Sequence, residues 1–123
     1  MSTLLIYIGE NERFDANKVK RDLEQVPGVE KLQVDNFGSS LLQCDYNFNG
    51  DSTILRLADD LAIISVDGTG DASLQIALEL QKREERQLHL TNYNYVFDLP
   101  LNNIHSVDEL RREIRIAYKE AVA

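Results

Sequence analysis

The chain predicts an α+β fold, a single domain with an antiparallel or mixed sheet of about six strands in the order β-α-β-β-β-β-α-β-α and three helices packed on it. Three observations lead there. Apolar residues alternate with polar ones through 42–48, apolar positions recur at helical spacing from Leu110 onward, and Asn49-Gly50 separates two strand patterns. At 123 residues the chain is long enough to bury about two-thirds of its unfolded surface around one core. Residues 1–123 show no linker, repeat or low-complexity stretch, which supports one domain.

Leu4, Ile6 and Ile8 alternate with Leu5 and Tyr7, so the first strand is apolar on both sides and belongs inside the sheet. Residues 9–14 form a polar connection. Asp15 is placed to cap a helix with Val19, Leu23 and Val26 on one face, ended by Pro27-Gly28. Residues 29–35 resume as a strand, and 36–40 read as a turn. Leu42, Cys44, Tyr46 and Phe48 form the buried side of the next strand. Asn49-Gly50 then forces a hairpin, because its tight turn needs positive φ at both central positions. Residues 53–57 run back, Ala58-Asp59-Asp60 breaks the pattern, and 61–66 is a nearly continuous apolar run suited to a strand covered on both faces.

After the loop 67–70, Asp71 is expected to cap a second helix reaching about Arg86. Leu74, Ile76, Ala77, Leu78 and Leu80 span a wide apolar arc, whereas the charged tail 82–86 reads as a solvated face. Residues 88–90 and 93–99 form one interrupted strand or two short ones, with a bulge or turn near Asn92 and an end at Pro100. Ser106 and Glu109 have the spacing of a capping box, and Leu110, Ile114, Ala117, Tyr118 and Ala121 make the apolar stripe of a last helix.

Charge narrows the function. The net charge is −8, which disfavours nucleic-acid backbones because their binding rests on Lys and Arg. Residues 1–70 hold twelve acidic and six basic side chains, and residues 71–123 hold nine and seven, so the acidity belongs to the first half. Asp45, Asp51, Asp59, Asp60, Asp67 and Asp71 face a single basic residue in that stretch, Arg56. A three-strand meander gathers Asp51, Asp67 and Asp71 at one end and Asp59 with Asp60 at the other. Such an edge attracts cationic partners, although aspartates also populate turns by bonding their own backbone.

Other chemistry finds little support. The lone Cys44 sits on the inward side of its strand, which suits a buried thiol better than a nucleophile and rules out an intrachain disulfide. The opening Met1-Ser2-Thr3 lacks the basic region of a signal peptide, and 4–8 is too short to span a membrane, so a cytoplasmic location is expected. Asp45-x-Asn47-x-Asn49-Gly50 matches the first half of a calcium-binding EF-hand loop, but its twelfth position is Arg56 and both flanks are strands. The loop 66–71 lacks the third glycine of a dinucleotide fingerprint and the Lys of a phosphate-binding loop. His89 and His105 lie far apart with no second ligand at zinc spacing. No serine nucleophile is signalled by its neighbours; Ser65 fits a strand.

Residues 19–35, with helix-forming Val19-Lys20-Arg21-Asp22-Leu23 followed by Pro27-Gly28-Val29, resemble the helix and following strand of heavy-metal-associated domains. The resemblance implies a helix, turn and strand over those residues. The family's Cys-x-x-Cys is absent from 9–14, so no metal transport is carried over.

Tyr93, Tyr95 and Phe97 alternate on what reads as one strand face, to be used in core packing or as the rim of a protein interface. No Lys or Arg lies between Gln87 and Val107 to support base stacking. The leading expectation is a small acidic module that docks a basic protein partner through the six aspartates, Tyr93 and Tyr95, as nuclease inhibitors and immunity proteins do. The alternatives are a regulatory module taking a divalent cation or small ligand at Asp51, Asp67 and Asp71, or an enzyme whose site the sequence does not announce. No cofactor, nucleic acid or membrane partner is expected, and oligomeric state is not indicated.

Overall fold

The computed structural model describes residues 3–37 and 40–122. Along the chain run β1 (Thr3–Tyr7), α1 (Ala16–Glu24), β2 (Val29–Phe37), β3 (Ser40–Phe48), β4 (Asp51–Ala58), β5 (Ile63–Asp67), α2 (Asp71–Arg83), β6 (His89–Asn92), β7 (Asp98–Pro100) and α3 (Val107–Val122). The seven strands form one sheet in the order β2-β3-β4-β5-β1-β6-β7, every pair antiparallel. The α+β single domain is as expected, with seven strands in place of about six, because 88–99 splits into two short strands around a turn. Of the turn expected over 36–40, Asn36 and Phe37 belong to β2 and Ser40 to β3, while Gly38 and Ser39 lie outside the described residues, as do Met1, Ser2 and the side chain of Ala121.

Cross-strand register shows how the pattern builds a core. Leu42, Leu57, Ile64, Ile6, Leu90 and Leu99 face one another in one row, and Cys44, Leu55, Val66 and Leu4 in the next. Nearly all are fully buried beneath the helices, which meet the sheet through contacts of α1 and α2 with β3, α2 with β4 and α3 with β7. Thus α2 buries Leu74, Ile76, Ala77, Leu78 and Leu80 between the sheet and α1 and α3.

The three helices cover only this side. The expectation that 61–66 is covered on both faces is corrected: Ile64 and Val66 are buried, while Ile63 and Ser65 are half-buried on the helix-free side. Leu61 is not in the strand. Its φ of 65° and its N–H to the Ala58 carbonyl (3.0 Å) put it in the β4–β5 turn, with Asp60 taking the Ala62 N–H at 3.0 Å.

Local signals fare well where the partners are close in sequence. Asp15 accepts the Asn17 and Lys18 N–H groups at the start of α1, and Ser106 takes the Glu109 N–H at 3.1 Å to start α3. Asn49 (φ 52°) and Gly50 (φ 77°) form the hairpin. The charged tail of α2 departs from a simple solvated face. Arg86 bridges Glu84 and Glu12, and Lys18 of α1 reaches the Arg83 carbonyl at 2.6 Å, so these cations are spent on joining elements. The helix stops at Arg83, three residues before the expected end, because the Glu84 N–H closes the last turn on the Gln81 carbonyl.

Candidate functional site

Asp51, Asp67 and Asp71 fall at one end and Asp59 and Asp60 at the other, as the meander predicts, and Asp45 lies within β3, but the six are in different states. Asp51 opens β4 and Asp67 closes β5, which puts both beside the N-terminus of α2. There Asp51 Oδ2 accepts the Ala72 N–H at 3.0 Å. Asp71 is therefore not the cap of α2, as expected, but its first residue, and the capping carboxylate comes from a neighbouring strand. Gly70 leaves the room, since a Cβ there would overlap the Asp51 carboxylate.

Asp67 pairs with Arg56 across the β4–β5 ladder at 3.1 Å, while its carbonyl takes the Thr53 and Ser73 hydroxyls, each at 2.7 Å. Asp71 pairs with Arg111 of α3 at 2.7 Å, and Asp45 lies 3.8 Å from Lys31. Five of the six expected carboxylates thus have partners within the chain, Asp60 through the Ala62 N–H. Asp59 and Asp60, in the β4–β5 turn at the other end, make no ion pair among the described residues.

These pairs bear on the divalent-cation alternative. A guanidinium sits where the ion would bind at both Asp67 and Asp71, and among the described residues no group of three or more His, Cys, Asp and Glu side chains is placed to hold a metal. Asp51→Ala is expected to cost about 1 kcal/mol through loss of the cap, seen as a Tm lower by roughly 3–5 °C. Millimolar Mg²⁺ or Ca²⁺ should leave the Tm of the native chain unchanged, and a rise of several degrees would restore the cation reading.

The two tyrosines are also redistributed. Residues 93–97 are not a strand face: the Tyr95 N–H returns to the Asn92 carbonyl and the Val96 N–H to Asn92 Oδ1, each at 3.0 Å, with Tyr95 at φ 52°. The Asn92 side chain thereby overrides the β propensity of Tyr, Val and Phe. Tyr93 and Tyr95 are 67% and 71% exposed and border different sides of the sheet, while Phe97 is buried against Tyr118.

The helix-free face carries the features that sequence reasoning missed. One row across it runs Gln43, Arg56, Ser65, Leu5, Thr91 and Asp98, and the next joins Ile63, Tyr7 and His89. Tyr7 and His89 stack with centroids 5.0 Å apart, and both reach Asp98, Tyr7 through its hydroxyl and His89 Nδ1 at 3.3 Å. Burial, then the Asp98 carboxylate, pushes the Tyr7 phenol up to about 12. Tyr7 takes Asp98 Oδ2 and His89 Nδ1 lies on Oδ1, so the one carboxylate ties β1, β6 and β7 together.

Beside it, Leu5, Tyr7, Gly9, Glu10, Ile63 and Tyr95 line a groove of about 350 Å³. The signal that could have found it is Leu5 and Tyr7 themselves. A strand apolar on both sides, in a sheet whose helices cover one, puts a second apolar row on the helix-free face, where Leu5 is buried and Tyr7 half-buried. No family model, curated protein or solved structure matches the chain.

Proposed function

We propose that this protein is a binding module that seats a basic protein segment on the helix-free face of its sheet. The observation that carries the reading is the makeup of that face: an apolar strip of Tyr7, Ile63 and Tyr95 lying over the buried Leu5, bordered by more carboxylates than cations. By cross-strand register Glu30, Asp45 and Asp67 share the face, with Asp98 across β6. Among the described residues, Lys31 and Arg56 are the cations that oppose them. At the end where β1 leaves the sheet, Glu10 joins Asp59 and Asp60, because the Tyr7 to Ile63 register and the Phe14 N–H to Leu61 carbonyl bond (2.7 Å) bring the two connections together.

A cation-bearing segment with apolar side chains is the occupant this surface complements. A second copy of the chain is disfavoured by repulsion between two bodies of charge −8. Addition of a strand at a sheet edge is disfavoured too. β2 breaks register between Glu30 and Gln33, with Lys31 at φ 53°, and β7 is three residues long and ends in Pro100. Docking would therefore use the face, with the exposed Tyr95 ring as an aromatic anchor.

The test is capture from native lysate at low salt, repeated with variants of each side. The native chain should retain a basic protein and release it by roughly 0.5 M salt, as expected for contacts between solvent-exposed charges. Combined Glu10→Lys, Asp59→Lys and Asp60→Lys should abolish capture, and so should Tyr95→Gly, which keeps the positive φ of that turn. Glu113→Lys on α3 should not. Empty capture, or retention by the charge-reversed variant, would refute the reading.

A further inference from the structure

On the helix side, at the sheet end opposite Glu10, a cleft of about 520 Å³ opens between the start of β1, the loop before α2, the β6–β7 turn and α3. Its floor is apolar, made by Leu4, Leu74, Phe97 and Ile114, and among the described residues no carboxylate lines it. The rim is polar and cationic, with Arg111 and Arg115 one turn apart on α3 facing Asn92, Tyr93 and Asn94. In a chain of net charge −8, this cleft is lined by two cations, one of them paired with Asp71.

The guanidiniums are not equivalent. Arg111 is tied down, with Nη2 on Asp71 at 2.7 Å and Nη1 on the Thr69 carbonyl at 3.2 Å. Arg115 makes no ion pair among the described residues and keeps its donor fork for a ligand. Tyr118 accepts from Asn92 Nδ2 at 2.7 Å, which leaves its hydroxyl hydrogen to donate toward the same space. The small-ligand site expected at Asp51, Asp67 and Asp71 thus changes character: Asp51 caps α2, Asp67 pairs with Arg56, Asp71 holds Arg111 at the rim of the cleft, and what remains available there is positive.

We infer that the cleft binds a small organic anion, with a carboxylate or phosphate group taken by Arg115 and its apolar body lying on the Leu4, Leu74, Phe97 and Ile114 floor. The planar fork of a guanidinium matches either oxyanion, and the volume suits a ligand of one or two rings. The site is independent of the docking face, which lies on the other side of the sheet.

The experiment is a titration of the isotope-labelled native chain, followed through its amide resonances, with 1-naphthoate, 1-naphthyl phosphate, 1-naphthylmethylammonium and inorganic phosphate. Saturable shifts are expected at Asn92, Tyr93, Asn94 and around Arg115 with one or both naphthyl anions, and the tighter of the two identifies the headgroup. Arg115→Gln, exposed and unpaired, should weaken that binding by roughly tenfold or more at unchanged Tm. The proposal is overturned if neither anion saturates at millimolar concentration, if the ammonium binds as well, if inorganic phosphate binds as tightly as its naphthyl ester, or if Arg115→Gln has no effect.

Discussion

Gly28→Ala is expected to lower stability by roughly 3 kcal/mol, a large share of the total for a domain of this size. Gly28 has φ 97°, a region that side-chain-bearing residues rarely adopt, and this strain alone costs about 1–3 kcal/mol. A Cβ would also overlap the Asn47 carbonyl oxygen and lie 3.3 Å from Tyr46 Cε1. The obstacle is backbone, so no rotamer change relieves it. Moving away means loosening the bond from the Asn47 N–H to the Gly28 carbonyl (3.0 Å), which fixes where β2 enters the sheet.

Gly50 is the control. Its φ is 77°, yet nothing lies within 4 Å of an added Cβ, so Gly50→Ala should cost only about 1 kcal/mol of backbone preference. Melting curves should separate the two, with Tm lower by roughly 10 °C for Gly28→Ala and roughly 4 °C for Gly50→Ala. Equal shifts would mean that φ alone matters and that the Asn47 contact does not. The outcome reaches function, because β2 carries Glu30 and Lys31 onto the helix-free face, and a variant that loses this strand's register should also lose salt-sensitive capture.

How much of this was legible depends on how far apart in sequence the partners lie. Asp15, Asn49-Gly50 and Ser106 act on residues within four positions, so composition and spacing suffice to read them. Asp51 and Asp71 could not be assigned in this way. The cap of α2 is supplied from 21 residues upstream and the Asp71 cation from 40 residues downstream, distances set by strand order and by where α3 lands. From the sequence the aspartates read as an acidic edge clustered at the two ends of a meander, while the fold spends most of them on Ala72, Arg56, Arg111 and Lys31. The arginine pair of the cleft had a faint signature, two guanidiniums four residues apart flanking the Ile114 and Tyr118 stripe. Only the β6–β7 turn, governed by the Asn92 amide, turns that signature into an enclosure.

The core supplies the other large effect, a loss of stability at alkaline pH. Burial first, and then Asp45, pushes the Cys44 thiol from its ordinary 9.0 up to about 12, and burial followed by Glu79 pushes the Tyr46 phenol from 10.0 up to about 12. Both side chains are almost fully enclosed beneath the helices, 1% and 2% exposed, so the ionised forms have no water to stabilise them. Above about pH 9 the unfolded chain releases protons that the folded chain retains, and stability must fall as pH rises. It is intact below the unfolded values and declines until the folded groups themselves titrate near 12. Each group contributes about 1.4 kcal/mol per pH unit, so by pH 11 the thiol and the phenol together remove roughly 4 kcal/mol. Urea midpoints measured from pH 8 to 11 should therefore fall steadily, and Cys44→Val should flatten the part of the decline that begins near pH 9. Tyr46→Phe should remove about half of the part that begins one unit higher, the Tyr7 phenol, likewise pushed up to about 12, supplying the rest. Absolute stabilities will differ because each substitution repacks the sheet, so the slope is the quantity that decides. If either variant declines as steeply as the native chain, its side chain does not stay protonated in the fold, and the packing of Cys44 and Tyr46 between β3 and the helices is looser than described.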